Sequence, residues 1–518
     1  MGSGSLAPPR PAMMSAQKQA GTWRLAPDTA AQTQGIVASP FGDLTEAQAL
    51  FLALPHAPGA ARSGGAWLRA LTAKLPITDA TGKTAPCAVI AFTYSGLHTF
   101  SLPADAMDGF SQEFREGMHQ IDRQRRLGDD DASMVIGGGP VWSGNIADPV
   151  CVSPDDVTPP TAITVHALLL LYEADGERLE ALTQDVRATL AGAGVTVSHD
   201  LRLSLHADPA IQEVREHFGF ADGISQPVPF GDAIVGDNGD AYPADPLHGI
   251  ASGDVLMGHI NAHDEAAPGP LVAAIDDPSH ILPDDGAPHG TRNLGLNGSY
   301  LVVRELRQYV AAFWTSMDRA AAAIDRPGVD ADWVAARMVG RDRNGIPLVP
   351  KQALPAPEMG DPLNDFAFVP HDMHGMTCPM GSHMRRANPR DGLAPTPAMA
   401  ADLLKAANNH RLLRRGRKYG EPAADPRVDD GKERGLLFMC LNTDIARQFE
   451  FVQQTWALNP GFAVLDDETD PLLGPPGPMT IPARPLRMRI PVDTYIRLVG
   501  GEYFFLPSLP ALAYLASL

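Results

Sequence analysis

Apolar positions along the chain follow two periods. Residues 161–172, TAITVHALLLLY, are almost continuously apolar, as a strand buried on both faces must be. His166 inside that run reads as a core histidine. Residues 87–96 and 436–442 have the same character and read as buried strands. Elsewhere the period lengthens to that of a helix. Leu179, Leu182, Val186 and Leu190 share one side of residues 175–193, and Ile445, Phe449, Val452 and Trp456 share one side of residues 444–456. Helical spacing is also read around Leu44, Leu50, Leu52 and Leu54 within residues 44–74, over 110–118 and over 333–338. A strand over 298–306 runs into a helix through Val310, Phe313 and Trp314. Residues 195–198 and 201–205 read as strands. Strand, helix, strand in this rhythm predicts an α+β fold with ferredoxin-like character.

The remaining stretches read as connections. Residues 464–480 are proline-rich and are expected on the surface. Residues 236–290 contain ten acidic side chains, five histidines (His248, His259, His263, His280 and His289) and neither Lys nor Arg. Those histidine spacings fit no standard metal site, so a solvated loop is expected. The resulting division is a flexible arm over 1–35, an N-terminal domain over 36–230, a long acidic connection over 231–297 and a C-terminal domain over 298–518.

Composition narrows the function. A chain of 518 residues, 44% hydrophobic and 20% charged, is long enough for two domains with sizeable cores. Its formal net charge of −20 repels phosphates and argues against a nucleic-acid partner. Cys87, Cys151, Cys378 and Cys440 form no CxxC pair, which disfavours a zinc site, a disulfide framework and, without Cys-x-x-Cys-His, covalently attached haem. Such cysteine use fits a reducing compartment. No apolar run is long enough to span a bilayer, and the N-terminus lacks a signal-peptide core. The expectation is a cytoplasmic protein without a membrane partner.

Three stretches carry candidate chemistry. Residues 375–390, GMTCPMGSHMRRANPR, place His383 just before Arg385, Arg386 and Arg390. Imidazole ligates haem iron, and guanidinium pairs with propionates. Cys378 offers a competing thiolate, but a small buried residue is the simpler reading. Upstream, residues 218–227 read FGFADGISQP; alone, Asp222-Gly223 would be an ordinary turn pair. Downstream, residues 410–420 read HRLLRRGRKYG; alone, these would be a solvated basic cluster.

Taken together, these stretches resemble the dye-decolourising peroxidases, whose marks are Gly-x-x-Asp-Gly (Gly219 to Gly223), a histidine before Asn-Pro-Arg (His383) and Arg-x-x-Arg-Arg-Gly (here with Arg414). The likeness covers the chain from about residue 85 onward. It implies two ferredoxin-like domains, with non-covalent haem b held mainly by the second. It implies a peroxidase that reduces hydrogen peroxide through a ferryl state and oxidises phenols, aromatic dyes or similar donors. The alternative is a haem-handling protein without peroxidase turnover. His383 would be the axial metal ligand, Asp222 the acid–base group and Arg414 the distal cation. Arg385, Arg390 and His217 are candidates for contact with the cofactor, and Asp444 for the carboxylate behind His383. Asp444 reads equally well as a helix cap. Tyr503 and Phe504 read as ordinary core. Residues 416–420, GRKYG, depart from the Gly-Ile-Pro-Tyr-Gly common among relatives, which affects the loop and not Arg414.

Overall fold

A computed structural model describes residues 25–518 apart from 56–63, 83, 138, 145–162, 209–212, 231–233, 236–240, 243–246 and 356–360. The N-terminal half supplies strands β1 (Glu46–Ala53), β2 (Cys87–Phe92), β3 (Ala167–Glu173) and β4 (Thr196–Ser204). Helix α1 (Ala66–Thr72) follows β1, and α2 (Gly176–Gly192) follows β3. The C-terminal half supplies β5 (Ser299–Gln308), the short β6 (Leu413–Arg414) and β7 (Arg417–Tyr419), then β8 (Gly435–Asn442) and β9 (Ile496–Leu506). Helices α3 (Val310–Ile324) and α4 (Ala331–Val339) follow β5.

The strands are ordered β4-β1-β3-β2 in the first half and β9-β5-β8-β7 in the second. Counting β6 and β7, which both pair with β8, as one interrupted strand, both halves are fourth-first-third-second, with a helical segment after the first and third strands. The halves join edge to edge. Lys418 and Tyr419 pair with Ser204 and Leu203 at one seam, and Phe92 pairs with Phe505 at the other. Because β5 also pairs with β9, the sheet closes into a ring without free edges at the seams.

Alternation along the strands sorts the core. Ala47, Ala49 and Phe51 point inward with Leu168, Leu170, Leu301, Val303, Leu437 and Met439. Leu50, Leu52, Leu169 and Leu171 point outward beneath the helices. Each fully buried Leu contributes roughly 1.5–3 kcal/mol. Burial on both faces also explains the misreading of residues 44–54. The run forms strand β1, not a helix, because a stretch that is apolar throughout carries no period to read. Residues 195–205 likewise form one strand rather than two.

Two other expectations change. Residues 27–32 are helical, and buried Gln34 donates to Ile90 O and Pro507 O at 2.8 Å each, so the last part of the expected arm is packed against both halves. The segment after β8 is helical as read but wider than an α-helix. Glu450 N bonds Ile445 O and Leu458 N bonds Gln453 O, both at 2.9 Å and both five residues back. Such widened turns often accompany functional sites. His166 is a core histidine, with Nδ1 accepting from Leu54 N at 2.9 Å. No helix among the described residues is long and apolar enough to cross a membrane.

Candidate active site

His383 opens a short helix, α5 (His383–Ala387), whose other residues include the buried Arg385 and Arg386. Its ring lies deep in the molecule yet is 30% accessible, so one edge faces an open space. The opposite edge is engaged. Nδ1 donates to Asp470 Oδ2 at 2.9 Å, and Asp470 is buried. An ionised carboxylate only accepts, so the proton sits on Nδ1 and Nε2 is left with its lone pair.

Both partners shift accordingly. Burial opposes the charge on His383, but the Asp470 charge and hydrogen bond outweigh it and raise the pKa. Burial would likewise raise Asp470; His383, the Leu472 amide and Arg386 outweigh it and hold the carboxyl below its ordinary range.

Asp470, not Asp444, is therefore the carboxylate behind His383. Asp444 caps its own helix, accepting from Arg447 N at 2.9 Å. Asp470 was hidden because residues 464–480 read as a surface loop. The loop folds inward instead, and Asp470 Oδ1 accepts from Leu472 N and Leu473 N at 2.9 and 3.0 Å. The only local signal was Pro471-Leu472-Leu473, an apolar triplet directly after an acidic run.

Arg386 ties this loop to α5. Fully buried, it donates to Trp456 O at 2.7 Å, to Asn459 O at 3.1 Å and to Glu468 O. Asp470 N completes the clamp on Ala457 O at 2.7 Å. The carbonyls at the end of the wide helix are thus satisfied by the residue three positions after His383.

The other two stretches converge nearby. On β6, Arg414 pairs with Cys440 and Leu413 with Leu441. Leu413 and Leu441 face into the ring, so Arg414 and Cys440 face outward, toward the helices. Arg414 N donates to Gln226 Oε1 at 3.0 Å, and its guanidinium donates to Ile224 O. Asn388, from Asn-Pro-Arg, donates to Ser225 Oγ at 3.2 Å. The segment after Asp222 is held by the other two motifs. Asp222 is exposed, and Oδ1 accepts from Gly223 N at 2.6 Å. The charges of Arg414 and Asp222 both reach His383, the first lowering and the second raising its proton affinity.

The remaining candidates have other partners. Arg385 pairs with the buried Asp372 at 3.0 Å and lies 3.9 Å from the Phe368 ring centroid. His217 Nε2 bonds Tyr419 O at 2.8 Å, and burial pushes its pKa down to about 4, so the ring is neutral. Both thus have partners within the protein, and Arg385 Nε is buried without one. Arg390 donates to Phe366 O and Asn364 Oδ1 at 2.9 and 2.6 Å. Burial, then Arg411 and Arg341, lower its pKa, and Arg341 Nη2 is buried without a partner. Buried Cys378 contacts Ser382 Oγ at 3.3 Å, and burial raises its pKa, as fits a packed thiol. Buried His248 pairs with Asp365 at 2.8 Å. No acidic or histidine cluster among the described residues is arranged to hold a metal ion.

No family model matches the chain. It is 33% identical over 374 residues to the multifunctional dye peroxidase DyP2 of an Amycolatopsis strain, covering 68% of this chain and 71% of that one. A DyP-type peroxidase from Anabaena shares the fold with a TM-score of 0.68 at 23% identity, over 94% of this chain and 95% of that one. A dye-decolorizing peroxidase in complex with 2,6-dimethoxyphenol gives 0.67 at 24% identity, over 95% of this chain and all of that one. The chain belongs to the dye-decolourising peroxidases, a family of haem-dependent peroxidases.

Proposed function

We propose that the protein binds haem b without a covalent link, reduces hydrogen peroxide and oxidises phenols, aromatic dyes or similar donors. The observation that carries this is the His383–Asp470 pair, buried on one side and accessible on the other, with Asp222 and Arg414 charges within reach. The relative solved with 2,6-dimethoxyphenol supports a phenolic donor. The shared fourth-first-third-second strand order supports two ferredoxin-like domains, the second carrying His383 and Arg414. Three buried free thiols, Cys87, Cys378 and Cys440, fit a cytoplasmic setting; Cys151 lies outside the described residues.

The donor set fits haem. His383 would hold the iron through Nε2, while Asp470 fixes the tautomer and raises ligand basicity. Arg390 would be the better propionate partner of the two arginines first considered, since an anion beside Arg390, Arg341 and Arg411 relieves their crowding. When bound, haem would supply the redox chemistry. The chain's own part is proton handling. Asp222 takes the proton from the attacking oxygen of peroxide and returns it to the departing one. Arg414, always charged, stabilises the negative charge that builds on the departing oxygen. Steady-state turnover of haem-loaded protein with peroxide and a phenol tests this. Turnover lost in Asp222→Asn with the haem spectrum intact is expected; unchanged turnover in that variant contradicts it.

A further inference from the structure

We propose that Glu216 is the positioning residue for Asp222, fixing the turn from which that carboxylate is presented. The inference rests on Asp222 being the acid–base group.

The turn over residues 216–222 is held at nearly every backbone group. The Glu216 carboxylate accepts from Phe218 N and Phe220 N at 2.8 Å each and from Gln308 Nε2 at 2.6 Å. Glu216 O accepts from Gly219 N at 2.9 Å, and Glu216 N donates to Phe220 O at 3.1 Å. Arg215 donates to Gly219 O, Trp314 to Phe218 O, and Ala221 N to Arg343 O. Gly219 has φ +92°, a backbone conformation that favours glycine, and a Cβ there would lie 3.0 Å from Arg343 Nη2.

Within this frame Glu216 alone spans the turn with one side chain, taking the amides on both sides of Gly219. Carboxylate bonds to two amides flanking one residue are stronger than a turn's own closure. Phe218 and Phe220 are buried, the former stacked on Phe313 at 4.5 Å, so the turn cannot pivot on its apolar side. Asp222 sits two residues beyond the last amide that Glu216 holds, and its own N donates to Val214 O at 3.4 Å. A carboxylate placed to pass a proton tolerates little displacement, since about 1 Å costs up to 10²-fold. Arg215 and Asp222 on the same segment, with Arg343 and Lys418 from neighbouring ones, supply the surrounding charge, and His217 between them is neutral. Burial pushes the Glu216 pKa up to about 7, and Asp222 acts in the same direction, which places the two carboxylates within electrostatic reach. Gln308 Oε1 is buried without a partner, so an amide flip would let Gln308 accept from a protonated Glu216 and keep the pair bonded.

The test is a double-mutant cycle on haem-loaded protein. Glu216→Ala is expected to lower kcat/KM for peroxide on the order of tenfold, leaving the donor KM and the haem absorption spectrum unchanged. Glu216→Gln keeps one acceptor oxygen, enough for one of the two amides, and is expected to recover part of that loss. In an Asp222→Asn background, Glu216→Ala is expected to cost nothing further. Cyanide affinity, read by absorbance, reports the same base without turnover, because the bound acid must give up its proton; it is expected to weaken with Glu216→Ala and less with Glu216→Gln. An equal loss from Glu216→Ala with and without Asp222, or no loss in the wild-type background, overturns the inference and leaves the role of Asp222 standing. No loss from Asp222→Asn alone removes that role and the inference with it.

Discussion

The two sides of the site are built differently. Behind His383, everything is buried and cross-linked: Asp470 on the ring, Arg386 on carbonyls of residues 456–459 and of Glu468, and the end of a widened helix beneath. On the other side, Asp222 stands exposed on a turn, and Arg414 projects from a two-residue strand. On the proposed roles, a group that sets the basicity of a metal ligand must not move, and Asp470 is anchored by tertiary contacts. Groups proposed to act on a small diffusing substrate must be reached, and Asp222 sits where the chain is open. Substitutions should separate accordingly, those on the exposed side altering peroxide chemistry with the haem retained, those behind His383 altering haem affinity and stability.

The largest effect is expected at Asp222. Asp222→Asn should slow the reaction with peroxide by about 10²–10⁴ in stopped-flow measurements with no change in haem absorption. Arg414→Leu should follow at about 10²–10³ in the same measurement. Loss of haem from either variant would erase the distinction between the two sides. Asp470→Asn should weaken haem binding or activity by about 10–100-fold, read by transfer of haem to apomyoglobin. Arg386→Met strands several buried carbonyls, each worth about 1–3 kcal/mol, so haem-free protein should unfold at clearly lower urea concentration. The smallest effect is a pH dependence. Glu216 has a folded pKa of about 7 against an ordinary value near 4.3, so its contribution to stability is full below that ordinary value and is lost as pH rises toward 7. The stability advantage of wild type over Glu216→Gln in urea titrations should shrink across that window; an advantage that grows with pH would contradict the burial of Glu216.

The same contrast decides what could be read from the chain. Asp222 and Arg414 lie in contiguous motifs whose residues hold each other locally or across one strand pair, so order along the chain was enough to single them out as candidates. Asp470 lies 87 residues from His383, in a stretch whose prolines and acids look like surface. Nothing local says that Arg386 will draw that loop inward. The strands were legible where apolar runs were bounded by turns, as at β3 and β8. They were not at β1, where both faces are buried. Arg385 shows the limit of residue type as a guide: a guanidinium near a candidate ligand histidine suits a propionate, and nothing local says that Asp372, thirteen residues away, also pairs with it. The widening of the helix after Asp444 was invisible because a side-chain stripe does not report which carbonyl each amide reaches.

The iron–histidine stretching frequency in the resonance Raman spectrum of reduced, haem-loaded protein tests the proximal arrangement directly. A band at high frequency that drops in Asp470→Asn and is unmoved in Asp444→Asn is expected, because the carboxylate hydrogen bond strengthens the donor character of the imidazole. Absence of the band in wild type, or a drop with Asp444→Asn and none with Asp470→Asn, would show that His383 and Asp470 do not carry the metal.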